Sequence, residues 1–307
     1  MNTKRPTHDS SNLPSNNILY VDDLNGMPAK LTKFSTHTIS RLQSSLSLLT
    51  AQIEQKMSDQ SYVLVTGLSF AQCLREDSNR LKVIGEQILY STTRGLGTAL
   101  GFESQRKGVL VQNITPDSKT SSRIQSGTNM ESLDWHTEDA SLKYCCDFLA
   151  LFCLYNDSET ATNIVDLWNC AIPADLLGEL MKPQFIIKED MPFDGELNNP
   201  QPLVTHYNRK FQFRIDPLFT TYANHTAKRA MDSMLNLMEQ HSTQIRLRSG
   251  DLLILNNNLC AHGREKIVYN NPKDLRHLQR LMVFQKSIPP QNIDHENRVV
   301  RLKPLAG

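Results

Sequence analysis

The sequence lacks a surplus of charge, a long apolar run and an apolar N-terminal segment. Lys and Arg number 33 against 32 Asp and Glu in 307 residues, so no overall field favours nucleic acid or an anionic membrane. No apolar run approaches the roughly 20 residues that cross a bilayer. The polar start, rich in Ser, Asn and Thr, has no apolar core of the kind that secretory signals carry. These absences predict a cytoplasmic protein that binds neither nucleic acid nor a membrane.

Paired cysteine motifs are also missing. The six cysteines form no Cys-x-x-Cys pair and show no zinc-type spacing with histidine, so we expect reduced thiols that pack as small hydrophobes. Apolar residues make up 39% of the chain and charged residues 21%, which is ordinary for a globular protein with a substantial core. Residues 1–16 are predicted to be a disordered tail, and residues 17–307 a single domain.

The order of predicted elements favours a mainly β fold. Helical spacing of apolar residues covers 35–56 and 79–100, and a further long helix is predicted at 223–240. The segment 148–155 is almost wholly apolar, as a strand buried on both faces would be. Short β-type runs occupy much of the remaining chain, including 251–255 and 281–284. This order predicts one β-sandwich or barrel with helices packed outside.

The segment Trp135-His136-Thr137-Glu138-Asp139 is the first candidate site. If it is extended, the side chains of His136 and Glu138 project to the same side. One imidazole nitrogen and one carboxylate oxygen are two corners of the facial triad that holds non-haem Fe(II). A His-x-Glu triplet is common by chance, so the prediction depends on a third ligand elsewhere.

His262, within Ala261-His262-Gly263-Arg264, is the candidate third ligand. It follows the buried strand predicted at 251–255, which would deliver it to a barrel interior. Arg276 and Arg280 come next and share a face whether their segment is helical or extended. Two guanidinium groups beside a metal predict two bound carboxylates, one on a 2-oxo-dicarboxylate cosubstrate and one on the substrate.

These segments together resemble a known family. The chain is similar to the clavaminate synthase-like branch of the Fe(II)/2-oxoglutarate oxygenases, and within it to the free L-amino acid hydroxylases acting on arginine, asparagine and lysine. The resemblance rests on the WHTEDA segment at 135–140, the FLALFCL strand at 148–154, HGR at 262–264, and the spacing from His262 to Arg276 and Arg280. It implies a distorted double-stranded β-helix, which is a jelly-roll or cupin-like core.

The resemblance also implies the ligands of the iron and of the cosubstrate. His136, Glu138 and His262 would bind Fe(II). Arg276, with the hydroxyl of Thr162, would bind the distal carboxylate of 2-oxoglutarate. Thr160 lies close enough in sequence to be an alternative to Thr162.

Substrate contacts are implied in the same way. Arg280 would pair with the α-carboxylate of the amino acid, and Ser126 would donate a hydrogen bond to it. Gln105 lies where the family has an amide that meets the α-amino group, and Glu138 is a second acceptor there. Asp216 matches a carboxylate that several members direct at the polar end of the substrate.

The implied reaction is hydroxylation of an unactivated C3 or C4 carbon of a free polar L-amino acid. It would consume O2 and 2-oxoglutarate and release succinate and CO2. Because Glu138 is retained where related halogenases have a small residue, hydroxylation rather than halogenation is expected.

One departure from the family bears on the substrate. Arginine hydroxylases have an acidic residue two positions before the match to Asp216, whereas this chain has Arg214. On a strand the two side chains would face the same way, so they could pair with each other or both meet the substrate. Lysine is therefore favoured over arginine, and glutamine, asparagine and citrulline stay open.

Three alternatives remain at this point. A zinc hydrolase can use two histidines and a carboxylate, but it needs no pair of arginines and more typically shows His-Glu-x-x-His on a helix. A non-catalytic cupin-like binding protein would usually have lost a ligand. An oxygenase acting on a carrier-tethered or modified amino acid would leave Arg280 without a free carboxylate to bind. The residues give no prediction of the oligomeric state.

Overall fold

A computed structural model describes residues 14–20, 36–68, 78–103, 108–117, 127–188, 199–207, 210–271, 274–286 and 288–301. Two predicted substrate contacts, Gln105 and Ser126, lie outside these residues, as does most of the predicted N-terminal tail. Among the described residues, no helix is long and apolar enough to cross a membrane.

The described chain contains mostly strands and a few helices, as the sequence predicts. The α-helices are α1 (Thr36–Asp59), α2 (Ser78–Thr93), α3 (Ala174–Leu180) and α4 (His225–Gln240). The first nine strands are β1 (Ile18–Tyr20), β2 (Tyr62–Thr66), β3 (Thr98–Ala99), β4 (Gly101–Phe102), β5 (Val111–Ile114), β6 (Leu133–His136), β7 (Phe148–Asn156), β8 (Thr162–Asp166) and β9 (Phe185–Ile187). The others are β10 (Val204–Tyr207), β11 (Lys210–Phe213), β12 (Thr220–Tyr222), β13 (Thr243–Ile245), β14 (Leu252–Asn256), β15 (Cys260–Arg264), β16 (Arg276–Phe284), β17 (Ile293–Asp294) and β18 (Val299–Val300).

A seven-stranded sheet forms one half of the core. Its order is β1-β2-β14-β7-β16-β3, with β5 also pairing with β16. Strand β14 shows why both faces are apolar: Leu252 and Ile254 pack with α1 and α2, whereas Leu253 and Leu255 pack on the opposite face. The sheet is therefore buried on both sides, which explains the unbroken apolar run of β7.

A four-stranded sheet, β13-β8-β15-β6, lies against the second face of the larger sheet. Its Ile164, Ile245 and Cys260 join the cluster between the two sheets. Its outer face is covered by α3 and α4, through a third cluster that includes Val165 and Ala261. The layers are thus helices, large sheet, small sheet and helices, and the inner space between the sheets is where side chains of both can meet.

Two predicted elements differ from the structure. The second helix ends at Thr93 rather than near residue 100, and a turn then leads to Gly97, which adopts a φ of +153°. A Cβ at position 97 would lie 2.4 Å from the carbonyl oxygen of Phe284. Position 97 therefore has to be glycine, beside the point where β3 pairs with β16. The closing strand is longer than predicted and begins at Arg276. Arg276 and Arg280 therefore lie on an extended strand, not on a helix.

Candidate metal centre and active site

His136 and His262 face each other across two neighbouring strands. They are Cα partners in the antiparallel pair β6–β15, and their ring centroids lie 4.2 Å apart. The register of this pair shifts between His262 and Arg264. Between them a Cβ at Gly263 would lie 2.7 Å from the carbonyl oxygen of Leu133. Glycine thus allows the close approach of strands that brings the two imidazoles together.

Glu138 lies just beyond the end of β6, in a turn rather than on the strand. The side chain of Asn257 holds its backbone on both sides. The backbone N–H of Glu138 donates to Oδ1 of Asn257 at 2.7 Å, and Nδ2 of Asn257 donates to the carbonyl oxygen of Glu138 at 3.1 Å. Nδ2 also donates to the carbonyl oxygen of Cys146 at 3.0 Å. Asn257 is buried, so these bonds fix where the Glu138 carboxylate projects.

The three side chains converge on one point. One ligand atom from each of His136, Glu138 and His262 lies within 4.8 Å of the other two, and Nε2 of His262 is 3.7 Å from Oε2 of Glu138. Nδ1 of His136 lies 2.8 Å from the carbonyl oxygen of Asp134. That contact requires a proton on Nδ1, which leaves the lone pair of Nε2 for a metal.

His262 is electrically suited to the same task. Burial lowers its pKa well below the ordinary value, and His136 and Arg280 act in the same direction. The imidazole is therefore neutral at neutral pH, as a metal ligand must be. Two imidazoles and one carboxylate form the donor set of the facial triad.

A cavity of about 240 Å³ opens beside the triad. Arg264, Arg276, Arg280 and Thr162 line it, together with Asp139 and Asp216. Apolar side chains complete the wall: Ile114, Leu133, Leu149, Leu151, Phe219 and Leu278. The cavity thus joins a metal-type donor set to guanidinium groups within apolar walls, which is the composition of a small-molecule site.

Arg276 and Thr162, the predicted contacts of the cosubstrate, both lie in the wall of this cavity. Burial lowers the pKa of Arg276, and its buried Nε has no hydrogen-bond partner among the described residues. Thr162 is the Cα partner of Arg264 across β8 and β15. Thr160, the alternative to Thr162, instead shares a 2.8 Å hydrogen bond with the hydroxyl of Ser158 in the turn after β7.

Arg280 contacts both the triad and a neighbouring strand. Its Nη1 donates to Oε1 of Glu138, and its Nη2 donates to Oε1 of Gln112 at 2.6 Å. Burial alone lowers the pKa of Arg280, but the carboxylates of Glu138 and Asp139 outweigh it and raise that pKa above the ordinary value. The guanidinium is charged at every relevant pH.

Asp216 and Arg214 are separated by the fold. Asp216 lines the cavity of the triad. Arg214 lies in the wall of a separate small cavity. Its Nη1 donates to the carbonyl oxygen of Leu142 at 2.7 Å, and its Nη2 to that of Lys143 at 3.4 Å. The guanidinium that replaces the second acid of arginine hydroxylases is therefore engaged with the backbone.

Sequence analysis missed two residues of this site, Asn257 and Gln112. Asn257 follows the buried strand β14 and contacts Glu138 across a separation of 119 positions. Gln112 is the Cα partner of Arg280 in the β5–β16 pair. Asn257 could have been found from its place, since an amide side chain directly after a buried apolar strand indicates a buried polar contact. No pattern in the sequence indicates that Gln112 pairs with Arg280.

The similar proteins of known function include amino acid hydroxylases and oxygenases. No family model matches the chain. The L-lysine 4-hydroxylase of Niastella koreensis is 30% identical over 179 residues, which covers 54% of this chain and 48% of that protein. The chain therefore spans about half the length of the curated relatives it matches first.

Solved structures with the same fold include non-heme iron oxygenases. An asparagine oxygenase in complex with Fe(II), a hydroxyasparagine and succinate superposes with a TM-score of 0.76 at 18% identity, covering 93% of this chain and 99% of that chain. The oxygenase OrfP in complex with Fe and alpha-ketoglutaric acid gives a TM-score of 0.67 at 24% identity, covering 80% of this chain and 82% of that chain. The resemblance predicted from the motifs is confirmed: the chain is similar in sequence to amino acid hydroxylases and has the fold of non-heme iron oxygenases.

Proposed function

We propose that the chain is an Fe(II)- and 2-oxoglutarate-dependent hydroxylase of a free polar L-amino acid, with lysine as the favoured substrate. One observation carries the proposal: a His136–Glu138–His262 donor set opens into a cavity lined by two arginines, the buried Arg276 and the partly buried Arg280. A metal site alone is compatible with hydrolysis, whereas two guanidiniums beside it fit two carboxylate-bearing ligands.

The three donor side chains fit Fe(II). Nε2 of His136 is left free by the bond at Nδ1, His262 is neutral because it is buried, and Glu138 supplies the negative charge. The chemistry supplied by Fe(II) at such a site is activation of O2, coupled to oxidation of 2-oxoglutarate to succinate and CO2, with one oxygen atom going to the substrate.

The remaining residues position the two organic molecules. Arg276, with Thr162, would bind the distal carboxylate of 2-oxoglutarate, and Arg280 would bind the α-carboxylate of the amino acid. Gln112 holds Arg280, and Glu138 is a candidate acceptor for the α-amino group. The apolar wall residues Leu149 and Leu278 exclude water around the carbon to be hydroxylated, so orientation is the protein's main contribution.

Two observations favour lysine. The relative from Niastella koreensis is an L-lysine 4-hydroxylase, and Asp216 places a carboxylate in the cavity wall, where it would meet an ε-ammonium group. A guanidinium substrate would be better served by a second acid, but position 214 carries an arginine whose Nη1 contacts the Leu142 carbonyl. A free amino acid is favoured over a tethered one because a tethered one would present no α-carboxylate to Arg280.

The fold is compatible with the same assignment. We propose that the seven-stranded and four-stranded sheets are the two halves of a distorted double-stranded β-helix, with the metal ligands delivered by the smaller sheet through β6 and β15. A cytoplasmic location stays a prediction from the sequence.

The test is formation of succinate by purified protein with Fe(II), ascorbate and 2-oxoglutarate, screened against the free amino acids with citrulline and ornithine included. Mass spectrometry would detect the gain of one oxygen. We expect lysine to give coupled turnover, and Asp216→Asn to lose lysine selectivity while keeping uncoupled 2-oxoglutarate turnover. Succinate without any hydroxylated amino acid would move the substrate to a tethered residue. Absence of 2-oxoglutarate consumption in every reaction would favour the cupin-like binding protein.

A further inference from the structure

The carboxylate of Glu138 is shared unequally between two neighbours. Its Oε1 accepts a hydrogen bond from Nη1 of Arg280, whereas its Oε2 is 3.7 Å from Nε2 of His262. Both the carboxylate and the imidazole are buried. One oxygen is therefore occupied by a guanidinium, and the other faces His262.

We propose that Arg280 is a positioning residue of the metal centre as well as a substrate contact. By holding Oε1, it leaves Glu138 to bind a metal through Oε2 alone, so that the carboxylate occupies one coordination position rather than two. This inference rests on the proposed function only for the identity of the metal. A hydrogen-bonded ligand oxygen is the usual means by which a carboxylate ligand is oriented.

Arg280 is itself fixed from the other side. It is the Cα partner of Gln112 across β5 and β16, and its Nη2 donates to Oε1 of Gln112 at 2.6 Å. Gln112 is buried, so the guanidinium cannot easily turn away from Glu138. The three side chains form a chain of contacts that runs from an outer strand of the large sheet to the metal ligand.

The same guanidinium has a donor left for a second carboxylate. Arginine carries five N–H donors in a fixed plane, and Arg280 uses one donor on Glu138 and one on Gln112 while 20% of its side chain stays exposed. Arg280 can therefore hold Glu138 and the substrate carboxylate at once. Substrate arrival and the geometry of the metal ligand would then be linked through one side chain.

Electrostatics alone predicts that loss of Arg280 raises the metal affinity, whereas the proposed positioning role predicts that this loss lowers it. The two can therefore be distinguished by experiment. Removal of a positive charge beside a divalent cation should tighten metal binding. Loss of an orienting partner should weaken it, typically about 10–100-fold. Arg276 provides the matched control, because it lies on the same strand, β16, and lines the same cavity, and the structure shows Glu138 paired with Arg280 instead.

The experiment is calorimetric titration of the metal-free full chain with Mn(II), with neither 2-oxoglutarate nor amino acid present. We expect Arg280→Gln to bind Mn(II) about 10–100-fold more weakly than wild type, and Arg276→Gln to bind as tightly as wild type or more tightly. Gln112→Met keeps the charges of Arg280 and Glu138 but removes the amide that holds Arg280. It should therefore also weaken Mn(II) binding, by a smaller factor than Arg280→Gln does. The d–d absorption of the Co(II)-loaded protein should change for Arg280→Gln and not for Arg276→Gln.

The inference would be overturned if Arg280→Gln and Gln112→Met both bound Mn(II) as tightly as wild type, or if the wild-type chain bound none. A thermal unfolding transition shows whether each variant is folded. If Arg280→Gln is not folded, the Mn(II) affinity of Gln112→Met tests the inference instead. These readouts are independent of turnover. A chain that binds metal as expected but makes no succinate would contradict the proposed function and leave this inference intact.

Discussion

His136 and His262 are direct partners across the β6–β15 pair, with ring centroids 4.2 Å apart. The pairing of β6 with β15 therefore positions the two histidines of the candidate metal site, because the register of this pair places the two imidazoles opposite each other. Glu138 then enters from the turn that follows β6. A ligand set built on paired strands is preorganised by their backbone hydrogen bonds.

Metal binding should stabilise the native chain through these residues. A metal that binds only the folded state at about 100 times its Kd adds about 2.7 kcal/mol to the free energy of unfolding. We expect Mn(II) to raise the Tm of the wild-type chain and not that of His136→Ala. The control is His225→Ala, which removes an exposed histidine at the start of α4 and should keep the full shift. Equal shifts in both variants would contradict the assignment of His136.

Asn257 should matter for both stability and metal affinity. Asn257→Ala leaves the buried N–H and C=O of Glu138 without partners, which costs about 1–3 kcal/mol in the free energy of unfolding. The control is Asn258→Ala, because Nδ2 of Asn258 donates to Oδ1 of Asp147 at 3.0 Å rather than to Glu138. Urea unfolding and metal titration of the two variants separate the effects. Only Asn257→Ala should weaken Mn(II) binding, and equal metal affinities would refute the positioning role.

Arg276 and Arg280 should act on different molecules. Loss of one partner of a buried charge pair costs about 2–5 kcal/mol, which corresponds to a loss in binding of about 30-fold or more. Arg276→Ala should therefore raise the KM for 2-oxoglutarate by about that factor, and Arg280→Ala should raise the KM of the amino acid far more than that of 2-oxoglutarate. Steady-state kinetics with each substrate varied in turn measures the split. Identical KM patterns in the two variants would mean that the residues do not separate the two carboxylates.

His277 should make stability dependent on pH without taking part in binding. It lies on the helix side of β16, where Nε2 is 2.8 Å from Oδ1 of Asn113, and burial lowers its pKa from 6.5 to about 4. Below pH 6.5 the unfolded chain binds a proton that the folded chain rejects, so this stability is complete above pH 6.5 and is lost as pH falls towards about 4. Urea unfolding of wild type and His277→Gln across this range should give a flatter profile for the variant. Parallel profiles would show that His277 is not the group responsible.

The sequence was sufficient to name the three side chains that the structure brings together, His136, Glu138 and His262. It also predicted the apolar strand that precedes His262, but not β15, the strand on which His262 lies. The idea that His136 and Glu138 share one strand face was wrong in detail, because β6 ends at His136. The carboxylate reaches the histidines through a turn held by Asn257 instead.

Contacts that depend on register or on distant pairing could not be found from the sequence. Gln112 meets Arg280 only because β5 and β16 pair in one particular register. The second helix was predicted too long because Leu96 and Leu100 continue the apolar spacing. The structure buries these two side chains in different clusters after the chain turns at Gly97. Local periodicity cannot distinguish a continued helix from a turn into another layer.

The most direct test of the account follows oxygen from O2. Purified protein is incubated with Fe(II), 2-oxoglutarate and lysine under ¹⁸O2, and both products are analysed by mass spectrometry. We expect one ¹⁸O atom in the hydroxylated amino acid, one in succinate, and equal amounts of the two products, all abolished in Glu138→Ala. Hydroxylated product that takes its oxygen from water, or 2-oxoglutarate consumption that does not depend on O2, would contradict it.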